Sequence, residues 1–429
     1  MNRRSAAFAA AAIFAALTLC PSAQAGFDFD QGGIDAKRTV GEIRQAADQS
    51  SQALPPSGAV QAGLAAASPD QLSRRIIVFK KGTPAKRQMG IAEVSGGVVV
   101  NKLWLIDALT IVVPKAHVQA ADAGLRSNSE VLRVEEDYYQ NWLAADEPHD
   151  PPPVEPAAQK IPWGIARVNA KGAWSITRGA GVKVAVVDTG IDFTHPDLKV
   201  AGGFNVITHD DNFKDDQGHG THVSGTIAGQ GNGEGVFGVA PDVALYGVKV
   251  LDANGSGSFS DVIEGIQWAA KNKMDVANFS LGASQGSQAL EDAVKAAVKD
   301  GLTIVAAAGN SGGAVGYPAA YSGVIAVSAS DSKDKIAYFS SRGPQVAVIA
   351  PGVAIESTYM GGGYKKLDGT SMACPHVAGL AALAVAAQGL HGAESIRAAL
   401  QKAATPLAGL SSDEQGSGLV DAAKLVGKE

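Results

Sequence analysis

The chain has 429 residues, of which 46% are hydrophobic and 18% charged, and it contains 51 glycines. That length suits two or three domains, and the composition is that of a tightly packed, turn-rich globular protein. A net charge of -6 argues against nucleic acid or an anionic membrane surface as partner.

Residues 1–25 read as a secretory signal. Arg3 and Arg4 precede an apolar run from Ala6 to Leu19, and Ala23-Gln24-Ala25 offers a small-residue cleavage site. No later segment reads as long and apolar enough to span a bilayer. Cys20 leaves with the signal, so a mature exported chain keeps Cys374 alone and no internal disulfide.

Residues 26–73, rich in Ala, Gln, Ser and Gly, read as a low-complexity leader. From Arg74 the texture changes. Strand-like runs at Arg75–Phe79, Gly97–Val100, Ala108–Val113 and Val131–Asp137 alternate with helical candidates near Ala85–Glu93 and His117–Asn128. Residues 74–143 therefore predict a small α+β domain. Residues 144–157 include five prolines between Asp146 and Pro156 and read as an extended linker.

Residues 158–429 show a different alternation. Lys183–Val187, Val243–Val250, Val276–Leu281, Leu302–Ala308 and Val324–Ala329 suit buried parallel strands, with helices over Asp261–Lys273 and Ser287–Lys299. The fold class expected is α/β: an open, mostly parallel sheet with helices on both faces. Sites in such sheets gather beyond the carboxyl ends of the strands.

Four residues stand at element boundaries of this sheet. Asp188 follows five residues of strand; His219 starts a small-residue helix in Gly218-His219-Gly220-Thr221-His222-Val223; Asn310 closes the run ending Ala308-Gly309; Ser371 opens the helix after Gly369-Thr370, with Pro375 expected in its first turn. Each alone has an ordinary explanation as turn former, helix cap or loop residue. Ser371 at a helix start has the positive end of the helix dipole beside it, where an acyl-transfer transition state develops negative charge.

Taken in the order Asp188, His219, Asn310, Ser371, these motifs resemble the subtilisin-like serine peptidases over about Gln159 to Val426. The resemblance implies an exported serine endopeptidase acting on protein and peptide substrates through an acyl-enzyme. Ser371 is the implied nucleophile, His219 its base, Asp188 the residue that orients the imidazole, and Asn310 an oxyanion donor. It further implies that Ser280-Leu281-Gly282 and Gly255-Ser256-Gly257 flank an extended substrate, and that Gly316 floors a roomy pocket for large apolar P1 side chains. A structural calcium ion is implied, held by the side chains of Gln159, Asp197 and Asn232 and the carbonyls of Gln230, Glu234 and Val236. Residues 74–143, ending near Val134-Glu135-Glu136-Asp137, resemble the family's propeptide, which acts as intramolecular chaperone and inhibitor. Self-cleavage would fall after Leu143 or after Ala157. A monomer is expected. Two alternatives are a processing peptidase of narrow specificity and an inactive relative serving as a binding module.

Overall fold

The computed structural model describes residues 71–143 and 158–427; the expected signal segment, nearly all of the leader and the linker lie outside these residues. The first part folds as β1 (Leu72–Phe79), α1 (Ala85–Val94), β2 (Val98–Leu103), β3 (Ala108–Pro114), α2 (Val118–Ser127) and β4 (Val131–Glu136), with a short strand β5 (Tyr139–Asn141) beyond the sheet. The sheet is antiparallel in the order β2-β3-β1-β4. It begins at Leu72, two residues inside the stretch expected to be leader. Period-two alternation explains its two faces. Ile77, Phe79, Leu109 and Ile111 pack under α1 and α2, while Ile76, Val78, Leu103 and Ala108 face the rest of the chain.

The second part contains β6 (Lys183–Asp188), β7 (Val200–Asn205), α3 (His219–Ala228), β8 (Ala244–Lys249), β9 (Ser256–Ser258), α4 (Phe259–Lys271), β10 (Val276–Phe279), α5 (Gln288–Lys299), β11 (Thr303–Ala307), β12 (Ile325–Ser330) and β13 (Val346–Pro351). A hairpin follows, β14 (Ile355–Tyr359) and β15 (Gly363–Leu367), then α6 (Thr370–Gln388), α7 (Ala393–Ala403), β16 (Ala404–Thr405) and β17 (Leu419–Val420). Nine strands form one sheet in the order β16-β17-β13-β12-β11-β10-β6-β8-β7. Every pairing in it is parallel except β16 with β17. Along β6, Val184 and Val186 join the core under α3 and α6, whereas Ala185 and Val187 join the core under α4 and α5. Apolar residues on both faces are what a sheet covered on both sides requires. Full burial contributes roughly 1.5–3 kcal/mol for each valine or isoleucine.

The structure corrects two expectations. With its 19 residues, α6 is long and apolar enough to cross a membrane, but 89% of the qualifying window is buried inside the fold, which makes it a central core helix. It also starts at Thr370, so Pro375 lies in its second turn, where its missing N–H leaves the Ser371 carbonyl without the usual helical donor. Ser280 Oγ supplies that donor at 2.7 Å. Cys374 is fully buried, and burial pushes its thiol up from the ordinary value.

The small domain rests on α4 and α5 through Ile76, Val78, Leu103 and Ile106. Its carboxylates meet the starts of both helices. Asp137 accepts from Ser260 N at 2.9 Å and Ser260 Oγ at 2.8 Å, and pairs with Arg74 at 2.7 Å. Glu135 accepts from Ala289 N at 3.2 Å. Negative charge at a helix N-terminus is favourable, both through the unpaired N–H groups and through the dipole.

Candidate active site

The apolar run of β6 delivers Asp188 at the sheet's carboxyl edge, fully buried. Gly218, in the left-handed region at φ 108, turns the chain into α3 so that His219 is its first residue. A side chain at Gly218 would meet the ring of Tyr359 at 2.4 Å, so the turn requires glycine for space as well. The result is an Asp–His pair: His219 Nδ1 donates to Asp188 Oδ1 at 2.8 Å, with His219 only 3% exposed. That bond fixes the tautomer, leaving Nε2 as the basic nitrogen.

Ser371 stands one residue into α6, which packs against α3. Its hydroxyl donates to Ser280 O at 3.2 Å. Asn310, just past β11, has its amide oxygen held by Thr370 N at 2.9 Å and Thr370 Oγ1 at 2.7 Å. The same hydroxyl accepts from Gly309 N at 3.1 Å. With the oxygen held from one side, the amide nitrogen is the donor end of Asn310 that faces away from Thr370. Nothing in the sequence singles out Thr370 except its place beside Ser371.

The two glycine-bearing segments hold part of the chain between them. β5 pairs antiparallel with β9, matching Gln140 with Gly257 and Asn141 with Ser256. Trp142 N then donates to Gly255 O at 2.9 Å, and Gly282 N donates to Trp142 O at 3.0 Å. The Trp142 indole is buried, donates to Gly257 O at 2.9 Å and meets Phe259 edge-on at 5.0 Å. Leu143 lies against Gly255, where an added side chain would come within 2.9 Å of it. Leu281 is buried in the core beneath. Gly316 donates to Ala308 O at 2.9 Å, and a side chain there would meet Ala283 O at 2.9 Å, so close backbone packing itself demands glycine.

A profile of the Subtilase family matches residues 179–418, more than half of the chain. The chain belongs to the subtilase family. It is 49% identical to subtilisin Savinase of Lederbergia lenta over 62% of this chain and 98% of that protein. It is 49% identical to an alkaline protease of Alkalihalobacillus alcalophilus over 63% of this chain and 70% of that protein. With subtilisin E of Bacillus subtilis strain 168 it shares 42% identity over 79% of this chain and 85% of that protein. The subtilase is a serine endopeptidase, and its nine-stranded sheet flanked by helices is the family's α/β fold.

In this subtilase the six residues expected around calcium converge on the loop after α3. Asp197 is buried; its oxygens accept from Val236 N at 2.8 Å, Gln230 N at 3.2 Å and Tyr364 Oη at 3.3 Å. Burial, with Glu234 adding its charge, pushes the Asp197 carboxyl up to about 6 against those hydrogen bonds. The Gln159 amide reaches Gln230 O at 2.5 Å and Gly233 N at 3.0 Å, and Asn232 Oδ1 accepts from Glu234 N at 3.3 Å. Among the described residues there is no cluster of three or more His, Cys, Asp or Glu, so most ligands to an ion here would be neutral amide and carbonyl oxygens. One buried, under-compensated carboxylate among neutral oxygens fits a hard divalent cation.

His222, which the sequence places as a second histidine near His219, has another use. Its Nε2 donates to Ile355 O at 2.9 Å, tying α3 to the β14–β15 hairpin.

Proposed function

We propose that this subtilase is exported through its signal segment as a self-processing zymogen, and that its mature part hydrolyses proteins with broad specificity through an acyl-enzyme on Ser371. The observation that carries the reading is β5 and Trp142, bonded to Gly255 and Gly282 as a substrate strand would be, beside the buried Asp188–His219 pair. His219 Nε2 takes the Ser371 hydroxyl proton as the oxygen attacks the scissile carbonyl, and returns it to the leaving amine. Asp188 stabilises the imidazolium formed in between. The Asn310 amide and the Ser371 N–H receive the oxyanion, with Thr370 holding the Asn310 oxygen out of the way. Water then repeats the sequence on the acyl-enzyme. Asn310→Ala is expected to lower kcat by about 100- to 1000-fold with little change in KM, the size of the effect in subtilisin, this family's own reference case. Equal loss in KM would move Asn310 from the oxyanion to ground-state binding.

Residues 74–143 are the chaperone and inhibitor in this reading. The match to subtilisin E supports it, since 79% of the chain is more than residues 158–429 can supply. Cleavage after Leu143 and cleavage after Ala157 are both compatible with this reading, and Leu143 would suit a P1 preference for large apolar side chains. Sequencing the N-terminus of secreted enzyme tests this; a start beyond Gln159 would exclude both positions and remove a calcium ligand.

Gln159, Asp197 and Asn232, with the carbonyls of Gln230, Glu234 and Val236, would hold calcium. Bound there, the ion supplies positive charge to the buried Asp197 and stabilises the loop. For Ser371→Ala protein, which cannot digest itself, chelation is expected to lower stability by about 2.7 kcal/mol relative to calcium at a hundred times its Kd. Asp197→Ala should abolish the difference. A melting temperature indifferent to chelator in the Asp197-bearing protein would refute the site.

A further inference from the structure

The turn leading into α3 contains a carboxylate that none of the steps of hydrolysis uses. Asp215 is 4% exposed. Its Oδ1 accepts from Thr189 Oγ1, Gln217 N and Gly218 N, each at 2.9 Å. Its Oδ2 accepts from Thr221 N at 2.9 Å and Thr221 Oγ1 at 2.6 Å. These five donors come from two places. Thr189 follows Asp188 directly at the end of β6, whereas Gln217, Gly218 and Thr221 bracket His219. Thr189 Oγ1 closes the loop by accepting from Gly220 N at 2.9 Å.

An aspartate that merely caps a helix would bond only to N–H groups of its own turn. The Thr189 bridge goes further, joining the strand that presents the carboxylate to the helix that presents the imidazole. From the other side, Lys249 Nζ donates to Thr189 O at 2.7 Å, Leu251 O at 2.9 Å and Asp216 Oδ1 at 2.6 Å. Burying a carboxylate is strongly unfavourable unless charge-assisted hydrogen bonds offset it, as the five here do.

We propose that Asp215 is a positioning residue for hydrolysis, clamping the backbone on either side of Asp188 and His219 so that the two side chains meet in one fixed geometry. The proposal rests on the triad reading. The charged or titratable groups facing this stretch include Asp188, Asp215, Asp216, Lys249, His222 and Tyr359, and Asp215 places a carboxylate against the backbone on both sides of His219.

The test uses full-length chain carrying Asp215→Asn, Thr189→Val, Thr189→Ser or His219→Ala, with active sites titrated by a serine-directed inhibitor. Asp215→Asn and Thr189→Val are expected to lower kcat at least about tenfold with KM within about twofold. Asp215→Asn should also move the acid limb of kcat/KM about half a pH unit lower or more, because a negative charge beside the imidazolium is lost. Thr189→Ser, which restores the bridging hydroxyl, should recover kcat to within about threefold. Unchanged kcat and acid limb with a fall only in unfolding free energy would overturn the proposal, as would equal impairment in both Thr189 variants. If Asp215→Asn does not fold, Thr189→Val removes a single hydroxyl and decides the matter. An active His219→Ala enzyme would sink the triad reading; an inactive one beside a normal Asp215→Asn would sink only this inference.

Discussion

Ser371→Ala protein is expected to accumulate as unprocessed chain and to leave casein intact. The substitution removes one hydroxyl at a position that is 4% exposed, and the Ser371 backbone keeps its bond from Ser280 Oγ. The fold should therefore survive with an unchanged melting temperature. What disappears is the nucleophile, and His219 without it has no oxygen to activate. The size expected is that of the equivalent loss in subtilisin, the family's reference enzyme: about a millionfold in kcat. The residual rate would come from oxyanion donors and substrate alignment. Gel analysis of secreted protein, together with casein release, reads both effects. Full processing in purified Ser371→Ala protein would show that another protease cuts the chain, and casein digestion would exclude Ser371 as nucleophile.

Acid should unfold this subtilase through two histidines that never touch substrate. Both His222 and His376 are fully buried, and burial pulls them down to about 3 and about 4, against the backbone bonds they make to Ile355, Lys365 and Met372. In the unfolded chain each titrates near 6.5. A histidine lowered on folding contributes nothing unfavourable above pH 6.5, because both states are neutral there. Below pH 6.5 the unfolded state binds protons that the folded state refuses, so stability falls as pH falls. With both histidines the slope is about 2.7 kcal/mol per pH unit, continuing to about pH 4 and then halving. By pH 5 the loss is about 4 kcal/mol, a large part of a typical 5–15 kcal/mol total. Urea unfolding of Ser371→Ala protein between pH 7.5 and 5 measures it, and His376→Gln should remove about half the slope. A flat profile over that range would mean that both rings take up protons in the folded state as readily as in the unfolded chain, and a half slope that one does.

The fold and the Asp188–His219 pair were legible for related reasons. Asp188, Asn310 and the strands before them follow short apolar runs whose ends a parallel sheet gathers on one edge, and Ser371 follows a glycine at the start of a long small-residue helix. Less legible was whatever depends on tertiary pairing. β13, Val346–Pro351, is an internal strand of the large sheet, yet its six residues sit among loops and lack flanking helices of their own. The β14–β15 hairpin escapes a sequence reading because its polar residues, Ser357 and Thr358, point inward to bond the carbonyls of His222 and Thr221. Asp215 carries no motif of its own before α3; only the fold brings Thr189 to it. Trp142 follows the small domain's last expected strand with no sequence signal of its own, yet it is buried against Phe259.

The break that Pro375 makes in the ladder of α6 has a wider consequence. Because the Ser371 carbonyl is held by Ser280, the peptide plane of the attacking residue is moored to the very segment whose Gly282, two residues further on, grips the docked chain. Strain arriving along a bound polypeptide would thus reach the nucleophile directly through Ser280, which bonds both its carbonyl and its hydroxyl.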